Sequence, residues 1–278
     1  MSASQFTRRS ILTLLLSATV ATTAFGQAQT QTKPFEPQVG QPGKDVVWVP
    51  TSQALVDKML DLAKVTANDT VYDLGSGDGR TVITAAKRGA RAYGIEYNPD
   101  MVELSKKNAA AAGVTEDRAT FMRADLFETD FSKATVITMF LLPDINLKLR
   151  PKILDMRPGT RIVSNTFTMG EWEADVTETV TEGCTTWCTA LHWIVPAKVE
   201  GAWKMAPGGD LALTQTFQKL SGTMRNGANT VPITDGKMHG DEITFKAGGA
   251  TYTGKVEGTS MRGTATGTNG TSWTATKK

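Results

Sequence analysis

The stretch Val71-Tyr-Asp-Leu-Gly-Ser-Gly-Asp-Gly-Arg80 constrains the fold more than any other part of the chain. Its first four residues have the composition of a buried parallel strand. Three glycines, Gly75, Gly77 and Gly79, follow before a helical pattern begins at Arg80. Glycine permits a tight turn and lets a ligand approach the backbone, and the first N–H groups of a helix are free to bind an anionic group. The stretch therefore predicts a ligand-binding corner between a strand and a helix.

The residues around this corner distinguish among three kinds of nucleotide-binding site. The dinucleotide-binding fingerprint would place its third glycine at position 80, where this chain has Arg80. A Walker loop would need Gly-Lys-Ser/Thr, and the sequence contains no such run. Glu96 ends the next predicted strand, 21 residues after Gly75, and a carboxylate there can accept hydrogen bonds from two ribose hydroxyls. The alternative interpretation is a purely structural glycine turn.

Strands and helices are expected to alternate along this part of the chain. Strands are predicted at 71–74, 91–96, 119–124, 134–140 and 161–165, and helices from 52 to about 69, from 80, over 98–112 and over 145–156. Alternation at this spacing predicts a parallel sheet. Two further strands, 174–181 and 186–195, would form an antiparallel hairpin at its edge.

The composition changes in the last third of the chain. Residues 198–278 contain 14 of the 26 glycines and 15 threonines, and no helical period occurs there. Short alternating runs indicate seven or eight antiparallel strands in a small barrel or sandwich. Gly236–Gly240 and Gly254–Gly258 share one turn pattern. No catalytic constellation is visible in this segment, so a structural module is favoured over a ligand-binding barrel.

Alternation also predicts which side chains face the interior of this β domain. Trp203 and Trp273 lie near its two ends and are expected to close its core. Side chains that share an inward face are Leu211, Leu213 and Phe217 on one strand, and Ile243 and Phe245 on another.

The first 46 residues indicate export. Residues 1–26 have the organisation of a signal peptide, because Arg8-Arg9 precede the apolar run 11–24, which is too short to span a bilayer. The arginine pair favours the twin-arginine pathway, which carries folded proteins, over an ordinary Sec signal. Residues 27–46 are rich in Gln, Pro and Gly and are expected to form a flexible leader. The mature protein is predicted to be periplasmic, or cytoplasmic if the signal is inefficient, and to lack a transmembrane segment.

Charge and cysteine content argue against two further kinds of site. Outside Arg8 and Arg9 the chain has 28 basic and 28 acidic residues, so it lacks the basic excess of a general nucleic-acid-binding surface. Cys184, Cys188 and His192 fall one ligand short of a structural zinc site, and no metal is predicted. In an oxidising compartment the two cysteines are expected to form a disulfide across a short turn, and two free buried thiols are the alternative.

Two levels of resemblance follow from these motifs. Asp-x-Gly-x-Gly-x-Gly at 73–79, with Glu96 after the next strand, resembles motif I and the following acidic position of class I S-adenosylmethionine (AdoMet) methyltransferases. A longer series resembles the small lysine methyltransferase family that modifies the ATP synthase c subunit and the adenine nucleotide translocase in mitochondria. That series runs Val49-Pro-Thr-Ser52, Asp73–Arg80, Glu96-x-Asn98-Pro99, Arg123-x-Asp125-Leu126, Leu142-Pro143 and Pro158–Ser164, and the likeness covers about 45–175.

The resemblance implies an α/β fold, with a Rossmann-like, mainly parallel sheet and an antiparallel edge hairpin, and AdoMet as the cofactor. Gly75 and Gly77 would lie against the amino-acid end of AdoMet, and Glu96 would bind its ribose. Asp73 or Asp78 would face the ammonium group of AdoMet or order the loop. The implied cofactor-binding residues are Asp73, Gly75, Ser76, Gly77, Asp78, Gly79, Glu96, Tyr97, Asp125 and Leu126.

The resemblance also suggests roles at the adenine and at the reacting centre. Tyr97 would cover one face of the adenine, and Asp125 would accept a hydrogen bond from its amino group. Trp48 would fold over the cofactor. Methyl transfer is an in-line displacement whose catalysis can come largely from alignment, so a strong base is not always required. Asp144 and Thr51 are the candidates for a catalytic role, although Asp144 could instead cap the helix after Pro143.

The implied function is AdoMet-dependent methyl transfer, with a protein lysine or a small molecule as acceptor and no nucleic acid as partner. The export signal and the β domain depart from the mitochondrial family. AdoMet is made in the cytosol, so the alternative hypothesis is an exported, non-catalytic binding protein whose β domain engages a partner. The predicted organisation is a signal peptide at 1–26, a leader at 27–46, a methyltransferase domain at 47–197 and an all-β domain at 198–278.

Overall fold

The computed structural model describes residues 1–2, 35–267 and 271–278. The predicted signal peptide, residues 1–26, lies outside these residues except for Met1 and Ser2. Within the described ranges, no helix is both long enough and apolar enough to cross a bilayer. The described chain forms two sheets, one of seven strands and one of nine.

The first sheet is mixed. Its elements are α1 (Gln53–Leu62), β1 (Thr70–Leu74), α2 (Arg80–Lys87), β2 (Arg91–Glu96), α3 (Pro99–Ala111), β3 (Ala119–Arg123), β4 (Val136–Met139), α4 (Pro143–Leu154), β5 (Arg161–Asn165), β6 (Val176–Thr179) and β7 (Thr189–Ile194). Strands β1 to β5 run parallel in the order β3-β2-β1-β4-β5. Strand β7 pairs antiparallel with β5, and β6 lies outside it. The predicted parallel sheet with an antiparallel edge hairpin is confirmed.

The strand order changes direction at β1. Strands β2 and β3 lie on one side of β1, and β4 and β5 lie on the other. The chain therefore leaves β1 towards one side and returns on the other, which opens a crevice at the carboxyl ends of the strands. Ligands of open α/β sheets bind in such a crevice.

Apolar side chains cover both faces of this sheet, as buried parallel strands require. Val71 and Val136 face a cluster with residues of α1, α2 and α3. Leu74 and Met139 point to the opposite face, where α4 supplies most of the helical contacts. The two clusters follow from the alternation of side chains along each strand.

Local hydrogen bonds set the ends of the first helix. Ser52 is its N-cap, because the Ser52 hydroxyl accepts from the Leu55 N–H. The helix ends at Leu62, earlier than the predicted end near Asp69. The Asp69 carboxylate accepts from the Thr66 N–H at 2.8 Å and so stabilises a turn where more helix was expected.

The second sheet is a closed antiparallel barrel. Its strands are β8 (Gly201–Ala206), β9 (Asp210–Thr216), β10 (Lys219–Asn226), β11 (Asn229–Pro232), β12 (Thr234–His239), β13 (Glu242–Ala247), β14 (Ala250–Glu257), β15 (Ser260–Thr266) and β16 (Thr271–Lys277). Pairing of β9 with both β8 and β10 closes a ring of eight strands, and β11 adds to β10 alone. The barrel alternative is thus confirmed over the sandwich. Closure leaves the ring without a free edge.

Large apolar side chains fill the barrel. Trp203 and Trp273 are buried in its core as predicted, together with Phe245. Tyr252 stacks on Phe245 with ring centroids 4.8 Å apart, and Trp273 packs edge-on against both rings. A small barrel filled in this way has its interior occupied by its own side chains.

Phe217 was expected to face the barrel core with Leu211 and Leu213, and this prediction is wrong. Leu211 and Leu213 do point inward. Phe217 lies in the turn after β9, where its φ of 53° takes it out of the strand alternation. Its ring stacks on Trp172 of the first sheet's apolar cluster, at 6.0 Å between centroids. The side-chain amide of Gln218 donates to the Glu173 carbonyl nearby. The barrel therefore packs against the first sheet through this turn.

Candidate active site

A cavity of about 520 Å³ lies at the carboxyl ends of the parallel strands. Its size falls in the usual range of small-molecule sites, roughly 300–1,000 Å³. The walls come from the segments that follow β1, β2, β3, β4 and β5, from the loop between β6 and β7, and from residues 41–51. Residues 41–48 overlap the segment expected to be a flexible leader, yet they form a hydrogen-bonded turn in which Trp48 N–H donates to the Gln41 carbonyl.

The glycine corner forms the floor of one half of this cavity. Gly75, Gly77 and Gly79 all have positive φ, between 54° and 82°. A Cβ on Gly77 would lie 2.7 Å from the indole nitrogen of Trp48, and one on Gly79 would lie 2.7 Å from the Phe121 ring. Side chains at these positions are excluded by both backbone conformation and space. Gly75 and Gly77 line the cavity, whereas Gly79, which was predicted to bind the cofactor, is not among the lining residues and lies against Phe121.

Glu96 is held by the backbone beside this corner. One carboxylate oxygen accepts from the Gly77 N–H at 3.0 Å, and the other accepts from the Asn98 N–H at 2.9 Å. The side chain is half-buried and lines the cavity. Each oxygen retains capacity for a further donor, so the oriented carboxylate can bind a pair of ligand hydroxyls.

Asp73 lines the same half of the cavity from the end of β1 and is buried. The Thr138 hydroxyl donates to it at 2.7 Å. Burial raises the pKa of Asp73 to about 7, the charges of Asp78 and Glu96 act in the same direction, and the Thr138 hydrogen bond opposes them. A cationic ligand group placed here would favour the ionised carboxylate.

Asp78 orders the loop, which was one of its two predicted roles. Its carboxylate accepts three hydrogen bonds from the Arg80 guanidinium, at 2.6 to 3.1 Å. Arg80 also donates to the Thr51 carbonyl at 2.7 Å and so joins the corner to the start of α1. Ser76 is buried against the cavity, and its hydroxyl has no hydrogen-bond partner among the described residues.

The predicted adenine end contains a contact that the sequence did not suggest. Tyr97, Asp125 and Leu126 all line the cavity. The Lys44 ammonium pairs with the Asp125 carboxylate and lies 4.9 Å from the centroid of the Tyr97 ring. Lys44 thereby holds the pKa of Asp125 below its usual value. In this structure the lysine occupies the hydrogen-bonding position expected for an adenine amino group.

The two catalytic candidates lie in different surroundings. Thr51 lines the cavity, and its hydroxyl accepts from the Asn165 side-chain amide at 3.2 Å. Asp144 is exposed on the first turn of α4 and is not among the lining residues. Nothing in its position indicates a role as a base. Within the described ranges, no cluster of His, Cys, Asp and Glu could hold a metal ion.

Three aromatic residues that the sequence analysis did not select line the other half of the cavity. Phe140 follows β4, Phe167 follows β5, and Trp187 lies between β6 and β7. Trp187 belongs to a short loop closed by a disulfide between Cys184 and Cys188. An aromatic residue between two cysteines was the only available signal, and it does not by itself indicate where the loop lies.

The chain is similar to known methyltransferases. Residues 73–176 match the family described as the ANTKMT methyltransferase domain. The protein-lysine N-methyltransferase of Saccharolobus islandicus is 45% identical over 130 residues, which cover 46% of this chain and 80% of that protein. The adenine nucleotide translocase lysine N-methyltransferase of Mus musculus is 34% identical over 130 residues, which cover 46% of this chain and 56% of that protein.

A solved methyltransferase structure is also similar to this chain. The RNA methyltransferase from Salinibacter ruber, in complex with S-adenosyl-L-homocysteine (AdoHcy), is 47% identical, with a TM-score of 0.51. The match covers 54% of this chain and 96% of that one. The matched family region, 73–176, begins at the glycine corner and contains Glu96, whereas the barrel lies outside it. The chain therefore belongs to the ANTKMT methyltransferase family and is an AdoMet-dependent methyltransferase.

Proposed function

We propose that this protein transfers the methyl group of AdoMet to the side-chain amine of a lysine in a protein. The observation that best supports the proposal is that three aromatic side chains, Phe140, Phe167 and Trp187, form an uncharged wall of the same cavity as the glycine corner. The names of the similar proteins from Saccharolobus islandicus and Mus musculus support a lysine acceptor. Neither name supports the small-molecule acceptor that the sequence also left open.

The cofactor roles proposed for the glycine-corner side are consistent with its geometry. Glu96 would accept hydrogen bonds from the ribose hydroxyls, and the backbone at Gly75 and Gly77 would lie along the amino-acid end of AdoMet. Asp73 would face the ammonium group. Asp125 would bind the adenine amino group only after Lys44 has moved away.

The reaction requires alignment and an uncharged amine. The lysine nitrogen lone pair attacks the methyl carbon, the carbon–sulfur bond breaks, and its electrons remain on sulfur, which converts the sulfonium to the thioether of AdoHcy. Apolar surroundings disfavour the ammonium form and lower the pKa of an entering lysine. Aromatic faces then stabilise the positive charge that develops on nitrogen. Holding the two reactants in line supplies the remaining catalysis without a dedicated base.

The test is to measure which polymer accepts a labelled methyl group. The mature chain, residues 27–278, is incubated with labelled AdoMet and with poly-L-lysine, poly-L-arginine or total RNA. We expect label on poly-L-lysine alone, recovered as methyl-lysine after hydrolysis, and much less label with the Glu96→Ala variant. Label on RNA would contradict the proposal and would point instead to an activity like that of the RNA methyltransferase from Salinibacter ruber.

We propose, further, that the protein is exported in folded form. The Arg8-Arg9 pair before an apolar run and the Cys184–Cys188 disulfide support an oxidising destination. Export through the twin-arginine pathway would carry one bound AdoMet, so continued turnover would need a source of AdoMet outside the cytosol. Cell fractionation is the test: the wild type should be periplasmic, and Arg8→Lys/Arg9→Lys should remain in the cytoplasm. Equal distribution of the two proteins would contradict twin-arginine export.

The barrel, within the proposed domain 198–278, is assigned a structural role. Its interior is filled by Trp203, Phe245, Tyr252 and Trp273. Its turn at Phe217 contacts the first sheet at Trp172, on the apolar cluster and not at the cavity. This arrangement favours support of the sheet over ligand binding inside the barrel.

A further inference from the structure

The order of the strands divides the cavity into two halves. We call the walls after β1, β2 and β3 the cofactor half, because they contain the glycine corner, Glu96 and Asp125. We call Phe140, Phe167 and Trp187 the aromatic half, because they follow β4 and β5 or precede β7. The halves meet between β1 and β4, which are adjacent in the sheet. An acceptor in the aromatic half would therefore lie next to a cofactor bound in the other half.

The three rings of the aromatic half are in mutual contact. Ring centroids lie 5.8 Å apart for Phe140 and Phe167 and 5.2 Å apart for Phe167 and Trp187. Trp187 is 6.3 Å from Phe140 and closes the set. Trp187 retains 41% exposure, so it lies at the opening of the cavity while Phe140 and Phe167 are half-buried.

The short loop holds Trp187 against the other two rings. The disulfide joins Cys184 to Cys188, four positions apart, and Trp187 adopts a φ of 58°, which is uncommon for a bulky residue. The Cys188 carbonyl accepts from the Val180 N–H at 2.9 Å. One residue further, the Thr189 carbonyl accepts from the Thr166 N–H at 2.7 Å and joins the loop to the segment of Phe167. A backbone closed and anchored in this way restricts where the indole can lie.

We propose that the aromatic half is the acceptor subsite, in which the alkyl stem of a protein lysine lies along the surface that Trp187, Phe140 and Phe167 present to the cavity, and that the Cys184–Cys188 disulfide positions Trp187 for this contact. This inference rests on the proposed lysine methyltransferase function. Three aromatic walls fit an unbranched alkyl stem, and their faces favour the cationic methylated product. Among the described residues, none of the carboxylates that line the cavity belongs to the aromatic half, so the aromatic walls recognise the amine without an ion pair. Those carboxylates are Asp45, Asp73, Asp78, Glu96 and Asp125.

The roles of Trp187 and of the disulfide can be separated from cofactor binding. Trp187→Ala, the pair Cys184→Ser/Cys188→Ser and the combined triple variant are prepared in the full chain. Val176→Ala is the matched control, because Val176 is also an exposed apolar residue near the sheet edge but does not line the cavity. AdoHcy binding is measured by calorimetry, and KM and kcat are measured for methylation of poly-L-lysine.

We expect Trp187→Ala to raise KM for poly-L-lysine about tenfold, with AdoHcy affinity unchanged within about twofold. The cysteine pair variant should raise KM about threefold to fivefold, since the ring remains but is less restricted. The triple variant should resemble Trp187→Ala, because the disulfide acts through the indole. Val176→Ala should behave as wild type.

Two results would overturn the inference, and they differ from failure of the proposed function. If wild type methylates poly-L-lysine and Trp187→Ala has an unchanged KM, the aromatic half is not the acceptor subsite. If the cysteine pair raises KM as much in the absence of Trp187 as in its presence, the disulfide does not act by positioning that ring. Wild type that binds AdoHcy but methylates RNA and not poly-L-lysine would refute the lysine assignment itself, and the subsite with it.

Discussion

The cofactor half and the aromatic half of the cavity share one sheet edge but are built differently. The cofactor half uses backbone at Gly75 and Gly77 and the carboxylates of Asp73 and Glu96, and hydrogen bonds to those carboxylates hold it in place. The aromatic half presents ring faces instead of polar groups to the cavity, although main-chain hydrogen bonds such as that from the Val180 N–H to the Cys188 carbonyl anchor its loops. It depends on ring contacts between three loops and on a disulfide that closes one of them.

The difference corresponds to what each half has to bind. A fixed cofactor with hydroxyl, ammonium and amino groups is recognised by groups of fixed direction. An alkyl side chain offers mainly apolar surface, which aromatic walls bind without strict direction. Substitutions in the first half should therefore change cofactor affinity, and substitutions in the second should change the use of the acceptor.

The largest expected effect comes from Glu96. Glu96→Ala removes the paired ribose contacts and leaves the Gly77 and Asn98 N–H groups without their side-chain acceptor. We expect AdoMet affinity to fall by about 2–3 kcal/mol, roughly 30- to 150-fold, in a calorimetric titration. Glu103→Ala, an exposed change on α3, is the control. Unchanged affinity would mean that the cofactor half has been wrongly identified.

Substitution of Phe217 tests whether the barrel contributes to either half of the cavity. Phe217→Ala removes the ring that stacks on Trp172, and we expect the free energy of unfolding to fall by about 2 kcal/mol, because the ring is only half-buried. AdoMet affinity should stay within about twofold. Denaturant unfolding and calorimetry measure the two quantities, with Phe217→Leu expected to lose less stability. A fivefold change in AdoMet affinity would show that the barrel contributes to the cofactor half.

Asp73 should make cofactor binding depend on pH. Burial raises its pKa to about 7 in the free protein, and the positive charge of AdoMet would favour the ionised form. Affinity should therefore rise with pH up to about 7 and then level off, so that binding is about tenfold weaker at pH 6 than at pH 8. Asp73→Asn should flatten this profile. Titrations in two buffers of different ionisation enthalpy would count the protons released.

The same raised pKa has an opposite consequence for the protein without cofactor. A group whose pKa is higher when folded contributes stability below its unfolded pKa and loses it as pH rises to the folded value. The contribution of Asp73 should thus decline between about pH 4 and 7. A stability profile of Asp73→Asn that falls in parallel with the wild type would contradict this assignment.

The smallest effect is expected at Lys44, which lines the cavity, pairs with Asp125 and lies over the Tyr97 ring. Lys44→Met should release Asp125 and strengthen AdoMet binding about twofold, because the pair is exposed to solvent. Poly-L-lysine KM should not change. Calorimetry and the methylation assay provide both values, and weaker binding would indicate that Lys44 contacts the cofactor directly.

Local patterns in the sequence anticipate the cofactor half well. The turn at Gly75 to Gly79 lies within one strand–helix corner, and the Glu96 carboxylate is bonded to the backbone of that corner and of Asn98. The alternation of strands and helices likewise anticipates the parallel sheet and its edge hairpin, and the short alternating runs after residue 198 anticipate the antiparallel strands of the barrel. These features depend on neighbours along the chain, or on a repeating period, and both can be recognised in a single sequence.

The features that the sequence did not anticipate depend on long-range contacts. Phe140, Phe167 and Trp187 are isolated aromatic residues along the chain, and only the adjacency of β4, β5 and β7 brings their rings together. Lys44 reaches Asp125 across 81 positions, and a left-handed turn sends Phe217 out of the barrel towards Trp172. The glycine corner follows from short-range backbone chemistry and Glu96 from the regular alternation that places the next strand beside it, whereas the aromatic half and the barrel contact depend on how distant elements pack.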